Sequence, residues 1–316
     1  MIKIKTINST DTQKIKAIFS KLYVPPVNSH KGQNGKLLVI GGSSLFHSAS
    51  IWAAEIASFF VDMVHYSSTS ENNKIMLELK KKFQNGIVVS RSQLDSYVAE
   101  DDTILIGPGM IRNSSKLPPK GRAGAVQSAK LQKYDLNKII SLSDEGEMTY
   151  QLVNYLITKF PKKQWVFDAG ALQMMEKEWL LKLRQPIITP HQQEFDRLFG
   201  LDISEMTLDE KVKIVEQMAL KYKTVILLKA IADIISDGKE TYVVQGGNSG
   251  LTKGGTGDLL AGLVGAISTK NSPLLSAISG SLLLKISSDR LFSKQKYWYN
   301  INNLIETVPQ VRAELN

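Results

Sequence analysis

The chain has 316 residues, of which 43% are hydrophobic and 22% charged, a composition typical of a globular protein long enough to bury a full core. It contains no cysteine, which excludes a disulfide framework and thiolate zinc sites and suits a reducing cytoplasm, and its four histidines lack metal-ligand spacing, so we expect no structural metal. No apolar run is long enough to span a bilayer and the N-terminus lacks a signal-peptide pattern, so we expect a cytoplasmic protein without a membrane partner.

Short apolar segments rich in β-branched residues alternate with helical patterns along the chain. After an N-terminal lead-in over residues 1–29, a strand is predicted at KLLVI (36–40) and a helix from about Ser48 to Val61. Further strands are predicted at MVHYSS (63–68), GIVV (86–89), TILIG (103–107), QWVFD (164–168), PIIT (186–189) and TVILLK (224–229). Residues 232–244 are predicted to form a hairpin that turns at Asp237 and Gly238, and the chain is predicted helical from Gly257 to Phe292 with a break near residues 271–273.

This alternation predicts a three-layer α/β/α fold with a mostly parallel central sheet, built as a single domain over residues 1–316. Polar or glycine-rich motifs follow four of the strands: GGSS, GPGM, DAG and TPH. Ligands of such folds bind at the carboxyl ends of the strands. The sequence therefore predicts a crevice at that edge of the sheet.

Most of the formal net charge of +9 lies in one segment. Residues 112–138 hold seven Lys and Arg residues against Asp135 alone. The segment lacks the interleaved aromatic residues of a nucleic-acid stacking surface, so nucleic-acid binding is not favoured. With Pro118 and Pro119 inside it, we predict a basic insertion over residues 112–147 that forms a mobile loop or flap.

Residues 247–266 read GNSGLTKGGTGDLLAGLVGA and place three glycines just before Asp258 and an apolar helix. A glycine turn at a helix N-terminus directs several N–H groups to one point, an anion hole suited to a transferring phosphoryl group. We expect the helix field to keep Asp258 ionised, so that it can take a proton from an attacking hydroxyl. The alternative is that Asp258 only caps the helix, but a cap does not explain the three glycines.

The same stretch resembles the signature of the NAD(P)H-hydrate dehydratases, a branch of the ribokinase-like superfamily. Further blocks similar to the family's motifs follow in the family's order, and together they cover roughly residues 30–265: HKGQNGKLLVIGGS (30–43), GPGM (107–110), DAGAL (168–172), TPHQQEFDRL (189–198) and LLKAIADIISDG (227–238). A lone GTGD also occurs in sugar and vitamin kinases, so the ordered set of blocks carries the resemblance.

The resemblance implies repair of a damaged cofactor. Family members phosphorylate the added hydroxyl of hydrated NADH or NADPH, with ADP or ATP as donor and Mg2+ on the phosphates, and loss of phosphate restores the double bond. Asp258 would be the base, and the turn of Gly255, Thr256 and Gly257 would stabilise the transferring group. The resemblance also implies a homo-oligomer. Because only about thirty residues precede the first block, an epimerase acting on the same metabolite would be a separate protein.

The resemblance also assigns the remaining site residues. On the substrate side it implies four, Ala49, Gly109, His191 and Asp258. On the nucleotide side it implies seven, Lys229, Ala230, Ile231, Ala232, Asp233, Asn248 and Gly257.

Simpler interpretations compete at several of these positions. His191 could be a helix-start residue bonded to its own backbone, with Glu194 completing a capping box from Thr189 or His191. Lys229 could be solvated at a strand end. Asp168 is expected to hold the following turn through local N–H groups rather than to act directly.

The chain departs from the family pattern mainly on the substrate side. Leu45, Phe46 and His47 replace a smaller glycine-containing run, and Ile111 stands where a glycine is expected. Ala230 replaces the glycine after the lysine, and Leu284 and Lys285 replace a late His-Gly pair. Two other functions therefore stay open: a kinase whose small-molecule phosphate ester persists, and a nucleotide-binding protein without catalysis that engages a partner through the basic segment.

Overall fold

A ten-stranded sheet organises the part of the chain that the computed structural model describes, residues 4–112 and 134–315. The strand order is β1-β10-β9-β8-β7-β6-β5-β2-β3-β4, and every pair is parallel except β8 with β9 and β9 with β10. The strands are β1 (Ile4–Asn8), β2 (Lys36–Ile40), β3 (Met63–Ser67), β4 (Ile87–Val88), β5 (Thr103–Ile106), β6 (Gln164–Phe167), β7 (Ile187–Ile188), β8 (Val225–Leu228), β9 (Asp233–Ser236) and β10 (Thr241–Gln245).

Helices cover both faces because the central strands are apolar on both sides. In β2, Leu37 and Val39 belong to one hydrophobic core and Leu38 and Ile40 to the other, and all four are fully buried. The helices are α1 (Thr12–Phe19), α2 (Ser48–Ala57), α3 (Ser70–Leu79), α4 (Leu94–Glu100), α5 (Leu136–Ile140), α6 (Glu145–Lys159), α7 (Ala169–Met174), α8 (Gln192–Phe199), α9 (Leu208–Tyr222), α10 (Thr256–Ile267), α11 (Pro273–Gln295) and α12 (Ile301–Glu314). The predicted three-layer α/β/α class with a mostly parallel sheet is confirmed.

Two local predictions are confirmed at positions where the sequence has typical turn residues. The chain turns at Asp237 and Gly238, with Gly238 at φ +83°, and joins the antiparallel pair β9 and β10. The predicted break near residues 271–273 separates α10 from α11. Helix α2 ends at Ala57 instead of Val61, because the chain turns at Ser58 and then carries Asp62 away to accept hydrogen bonds from backbone N–H groups at Gly32 and Asn34.

The lead-in contains two elements that the sequence did not predict: β1 pairs with β10 at the sheet edge, and α1 buries Ile15, Ile18 and Phe19. The flap prediction fails for residues 136–147, because α5 buries Leu136 and Ile139 in the core and α6 begins at Glu145. Residues 113–133, the rest of the predicted insertion, lie outside the described residues.

None of the helices within the described residues combines the length and the apolar character needed to cross a bilayer.

Candidate active site

Three polar residues meet where adjacent strands end. Asp168 follows β6, His191 lies three residues beyond β7, and Lys229 follows β8. His191 and Lys229 form a parallel bridge that extends the pairing of β7 with β8. The predicted crevice at the carboxyl edge of the sheet therefore brings together residues from three separate sequence motifs.

The anion hole is predicted at the glycine turn before α10. Gly255 is the N-cap at φ +99°, and a Cβ there would lie 2.5 Å from the ring of Trp52. Both facts favour glycine at this position. Within the described residues, the N–H groups of Gly254, Gly255 and Gly257 have no hydrogen-bond acceptor, so they are available to a ligand.

Thr256 has a different role from its three neighbours. Its hydroxyl donates to the carbonyls of Leu251 and Lys253, at 2.8 and 2.9 Å, and its N–H also donates to Lys253. The side chain is buried. The prediction that Thr256 contributes with Gly255 and Gly257 to the hole is therefore wrong: Thr256 holds the turn in shape.

Asp258 lies in the first turn of α10 and is partly buried. Burial raises the pKa of its carboxyl to about 7, the negative charge of Asp168 adds to the rise, and Lys229 partly offsets it. With a pKa near 7 the carboxyl is only partly ionised at neutral pH, so the expectation that Asp258 stays ionised holds in part. A carboxylate with a pKa near neutrality is well matched to accept a proton.

Lys229 is not a solvated strand end. Its Nζ donates to Oδ1 of Asp168 at 2.8 Å and lies 3.9 Å from Oε2 of Glu194. Burial alone would lower the pKa of Lys229, but the attraction of Asp168, Glu194 and Asp258 outweighs it and raises the pKa. The ammonium also lies 3.4 Å from the position that a Cβ on Gly257 would occupy, so it borders the glycine turn.

Asp168 joins neighbouring strands instead of holding its own turn. It precedes α7 but makes no side-chain capping bond. Its Oδ1 accepts from the hydroxyl of Thr189 at 2.8 Å as well as from Lys229. The expected local role is therefore wrong, and Asp168 links the ends of β6, β7 and β8.

His191 and Glu194 form the capping box that the sequence left open. Glu194 Oε2 accepts from the N–H of His191 at 2.9 Å, and His191 Nδ1 accepts from the N–H of Glu194 at 3.4 Å. Since Nδ1 is an acceptor, the ring carries its proton on Nε2 when neutral. Burial lowers the pKa of His191, which favours this neutral form. Nε2 lies 3.5 Å from Oε1 of Glu194, and the side chain is 45% exposed, so a ligand can still reach the ring.

The predicted substrate-side pair is adjacent in space. Gly109 has φ +71°, and a Cβ there would lie 3.0 Å from that of Ala49. The loop after β2, which departs from the family pattern, is hydrogen-bonded to α6: the backbone N–H of Ser44 donates to Glu145 at 3.0 Å. Leu45 and Phe46 remain exposed. The backbone of this loop nevertheless reaches the pair, since a Cβ on Gly109 would also lie 3.2 Å from the carbonyl oxygen of Phe46.

The predicted nucleotide side is less open than the sequence indicates. Asp233 is buried and accepts from the N–H of Ala230 at 2.9 Å, whereas the side chain of Ile231 is 96% exposed. The amide of Asn248 donates to Ser288 and Asp289, and its oxygen accepts from Gly250 and Tyr299. Side-chain contacts from Asp233 and Asn248 to a nucleotide are thus not available in this arrangement, and both residues hold the loops instead.

Comparison with known proteins decides the family. The family model described as NAD(P)H-hydrate dehydratase matches residues 142–310, more than half of the chain. An ADP-dependent (S)-NAD(P)H-hydrate dehydratase of Nitrosopumilus maritimus is 30% identical over 267 residues, covering 81% of this chain and 80% of the relative. The chain belongs to the NAD(P)H-hydrate dehydratase family.

Other members of the dehydratase family are longer. A bifunctional NAD(P)H-hydrate repair enzyme of Methanocaldococcus jannaschii is 31% identical over 284 residues, which cover 90% of this chain and 49% of the relative. The chain therefore spans about half the length of that curated protein.

Solved structures support the fold. The ADP/ATP-dependent NAD(P)H-hydrate dehydratase of Bacillus subtilis, co-crystallised with ATP and magnesium, matches with a TM-score of 0.74 and 20% identity, covering 96% of this chain and 97% of that one. A ribokinase-like superfamily protein of Enterococcus faecalis matches with a TM-score of 0.76, also at 20% identity, over 99% and 96% of the two chains. The expected ribokinase-like fold is confirmed.

Sequence reasoning missed one feature of this dehydratase-family site. Lys229 was placed with the nucleotide and Asp168 with its own turn, but the structure joins them in one buried group with Glu194 and next to Asp258. The sequence offered one signal for this group, namely where its residues lie relative to the predicted strands and helices. All of these residues lie at or just beyond the ends of neighbouring strands or in the first turn of a helix.

Proposed function

We propose that this chain repairs hydrated NADH and NADPH by phosphorylating the added ring hydroxyl and releasing phosphate, with ADP or ATP as the donor. The observation that carries the proposal is the position of Asp258, a partly buried carboxyl with a pKa of about 7, directly after a glycine turn with free N–H groups. A base and an anion hole on consecutive residues suit transfer of a phosphoryl group to a hydroxyl.

Asp258 acts as the general base in the first step. Its carboxylate takes the proton of the ring hydroxyl, the hydroxyl oxygen forms a bond to the terminal phosphorus, and the bond from that phosphorus to the leaving nucleotide breaks. The N–H groups of Gly254, Gly255 and Gly257 stabilise the charge on the transferring oxygens. Lys229, which borders Gly257, adds positive charge at the same point.

The second step restores the nicotinamide ring. Hydroxide is a poor leaving group, whereas phosphate leaves with the bonding electrons of the carbon–oxygen bond. An adjacent carbon loses a proton, and the double bond forms. The phosphoryl group is therefore consumed to make the hydroxyl leave, and the products are the cofactor, the shortened nucleotide and inorganic phosphate.

Magnesium enters as part of the nucleotide substrate. Within the described residues, no group of three or more acidic or histidine side chains is arranged to hold a metal. Asp168 and Glu194 also face the ammonium of Lys229, which occupies the place a cation would take. The ion would therefore be held by the phosphates and water, with chemistry limited to charge neutralisation on the phosphates.

The substrate would lie across the edge of the sheet between the two predicted sides. The hydrated ring would lie beside the backbone of Gly109, and Nε2 of His191 would donate to the dinucleotide. The donor would lie toward the backbone of residues 230–232. A cytoplasmic location, a homo-oligomer and a separate epimerase for the same metabolite stay predictions.

A turnover assay tests the proposal. Purified protein is mixed with hydrated NADH or NADPH, magnesium and either ADP or ATP, and the return of nicotinamide absorbance is followed. Wild type should restore it, and Asp258→Asn should lower the rate by at least about a hundredfold, because a positioned general base contributes at least that much. Asp209→Asn is the matched control, since Asp209 is an exposed carboxylate in the first turn of α9.

Two outcomes would contradict the proposal. A stable phosphate ester of another hydroxylated metabolite, with no action on hydrated cofactor, would identify a small-molecule kinase. Nucleotide binding without turnover of any substrate, unchanged in Asp258→Asn, would identify a binding protein.

A further inference from the structure

Lys285 is a buried lysine outside the group of residues around Asp258. It lies in the middle of α11 and is 3% exposed. A lysine is almost never fully buried unless its ammonium is paired, so the surroundings of this side chain call for a physical explanation.

Backbone carbonyls surround the ammonium of Lys285. Its Nζ donates to the carbonyl oxygens of Ile231 at 2.9 Å, Gly246 at 3.3 Å and Ala230 at 3.5 Å. One carboxylate, Oδ2 of Asp233, lies 3.6 Å away. Three carbonyls and one carboxylate around a single positive charge are the ligand set of a monovalent cation such as potassium or ammonium.

The surrounding groups come from two loops that are separate in the sequence. Ala230 and Ile231 lie in the connection between β8 and β9, whereas Gly246 follows β10. The ammonium therefore fixes one loop against the other. The side chain of Ile231 is 96% exposed, so its backbone is held while its apolar side chain faces outward.

Asp233 completes the arrangement. Its Oδ1 accepts from the N–H of Ala230 at 2.9 Å, and its Oδ2 accepts from the hydroxyl of Ser281 at 2.6 Å. The carboxylate thus holds the loop from one side and balances the lysine from the other. Both charges are matched, as burial requires.

We propose that Lys285 is a built-in monovalent cation that positions residues 230–232 for the phosphoryl donor, so that this protein needs no added potassium or ammonium. It is a positioning residue, since its contacts are to the loop and not to a reacting atom. Only the part of the inference that concerns the phosphoryl donor rests on the proposed function. The cation site itself is testable without any substrate.

A pair of variants separates charge from shape. Lys285→Ala removes the side chain and leaves a space lined by carbonyls, into which a small cation can enter. Lys285→Met keeps most of the volume and removes the charge, so a cation has no room. Each is purified in buffer with choline as the sole monovalent cation, and potassium or ammonium chloride is then added against choline chloride at equal ionic strength.

The first measurement is thermal unfolding without ligand. Without added cation both variants should lose several degrees in Tm, because removing one partner leaves buried carbonyls and Asp233 unpaired. Potassium or ammonium should restore a large part of the loss in Lys285→Ala, and none in Lys285→Met or wild type. Equal responses of the three proteins, or no response of Lys285→Ala, would overturn the cation site, whatever reaction the protein catalyses.

The second measurement concerns the donor. In the turnover assay Lys285→Ala should raise the donor KM by roughly tenfold or more while kcat changes less, since a lost charged hydrogen-bond donor has an effect of this size. Ammonium should return KM toward wild type. A restored Tm with an unchanged donor KM would overturn the positioning role, and absence of turnover in wild type would contradict the proposed function and leave the thermal result standing.

Discussion

Replacing Asp258 by asparagine is predicted to stabilise the protein above neutral pH while removing the proposed base. The folded-state pKa of Asp258 is raised from 3.8 to about 7, chiefly by burial. Because the folded chain binds more protons than the unfolded chain between these values, the free energy of unfolding falls as pH rises through the same window. Each unit of pKa corresponds to about 1.4 kcal/mol, so ionised Asp258 lowers stability at pH 8 by on the order of 4 kcal/mol.

Urea unfolding of wild type and Asp258→Asn at a series of pH values from about 4 to about 8 measures this effect. Near pH 4 the folded carboxyl is protonated and the unfolded one only begins to ionise, so the two proteins should have similar stability. The variant should become the more stable as pH rises, with most of the difference appearing between pH 4 and pH 7 and little more above that. Asp209→Asn should show no such growth, because Asp209 is exposed.

A difference between wild type and Asp258→Asn that does not change with pH would refute the reasoning. It would mean that the carboxyl retains an ordinary pKa, and that the field of α10 rather than burial dominates at this site. A variant less stable than wild type at pH 8 would lead to the same conclusion.

Three further predictions concern the groups around the base. The rate of turnover should rise with pH through a midpoint of about 7. Asp168→Asn should move that midpoint to lower pH, because a negative charge next to Asp258 is lost. A midpoint that does not move in the measured pH profile would contradict this. Lys229→Met should lower the free energy of unfolding by about 3–5 kcal/mol, since it leaves the buried carboxylates of Asp168 and Glu194 without their positive partner. Lys229→Arg should recover part of this loss, and urea titrations of both variants measure the difference. Gly255→Ala should be more destabilising than Gly200→Ala, because both positions have positive φ but only the first brings a Cβ against Trp52; equal midpoints in denaturant would contradict that.

The fold was predictable where burial or turn geometry determines the residue types directly. The run KLLVI is apolar at consecutive positions because both faces of β2 are covered, and Asp237 with Gly238 supply the turn residues of the hairpin. Strand β1 was missed because only Ile7 in it is fully buried. Its strand character comes from pairing with β10, which is distant in sequence.

The site was predictable as a set of motifs but not as a set of contacts. The glycine turn and Asp258 are consecutive, so sequence shows them together. The bond from Lys229 to Asp168 depends on which strands are neighbours, and the pKa of Asp258 depends on how much water the fold removes. Neither quantity is written in a local pattern, which is why the raised pKa of Asp258 and the role of Asp168 were not predicted.

The most direct test of the account follows the oxygen atom of the added hydroxyl. Hydrated NADH is labelled at this hydroxyl with a heavy oxygen isotope and turned over with ADP or ATP, and the released phosphate and the water are analysed by mass spectrometry. Phosphorylation of the hydroxyl by the Asp258 site predicts that each phosphate released carries the label and that none enters water. Unlabelled phosphate with label in the water would show that the hydroxyl leaves without being phosphorylated, and would contradict the proposed reaction.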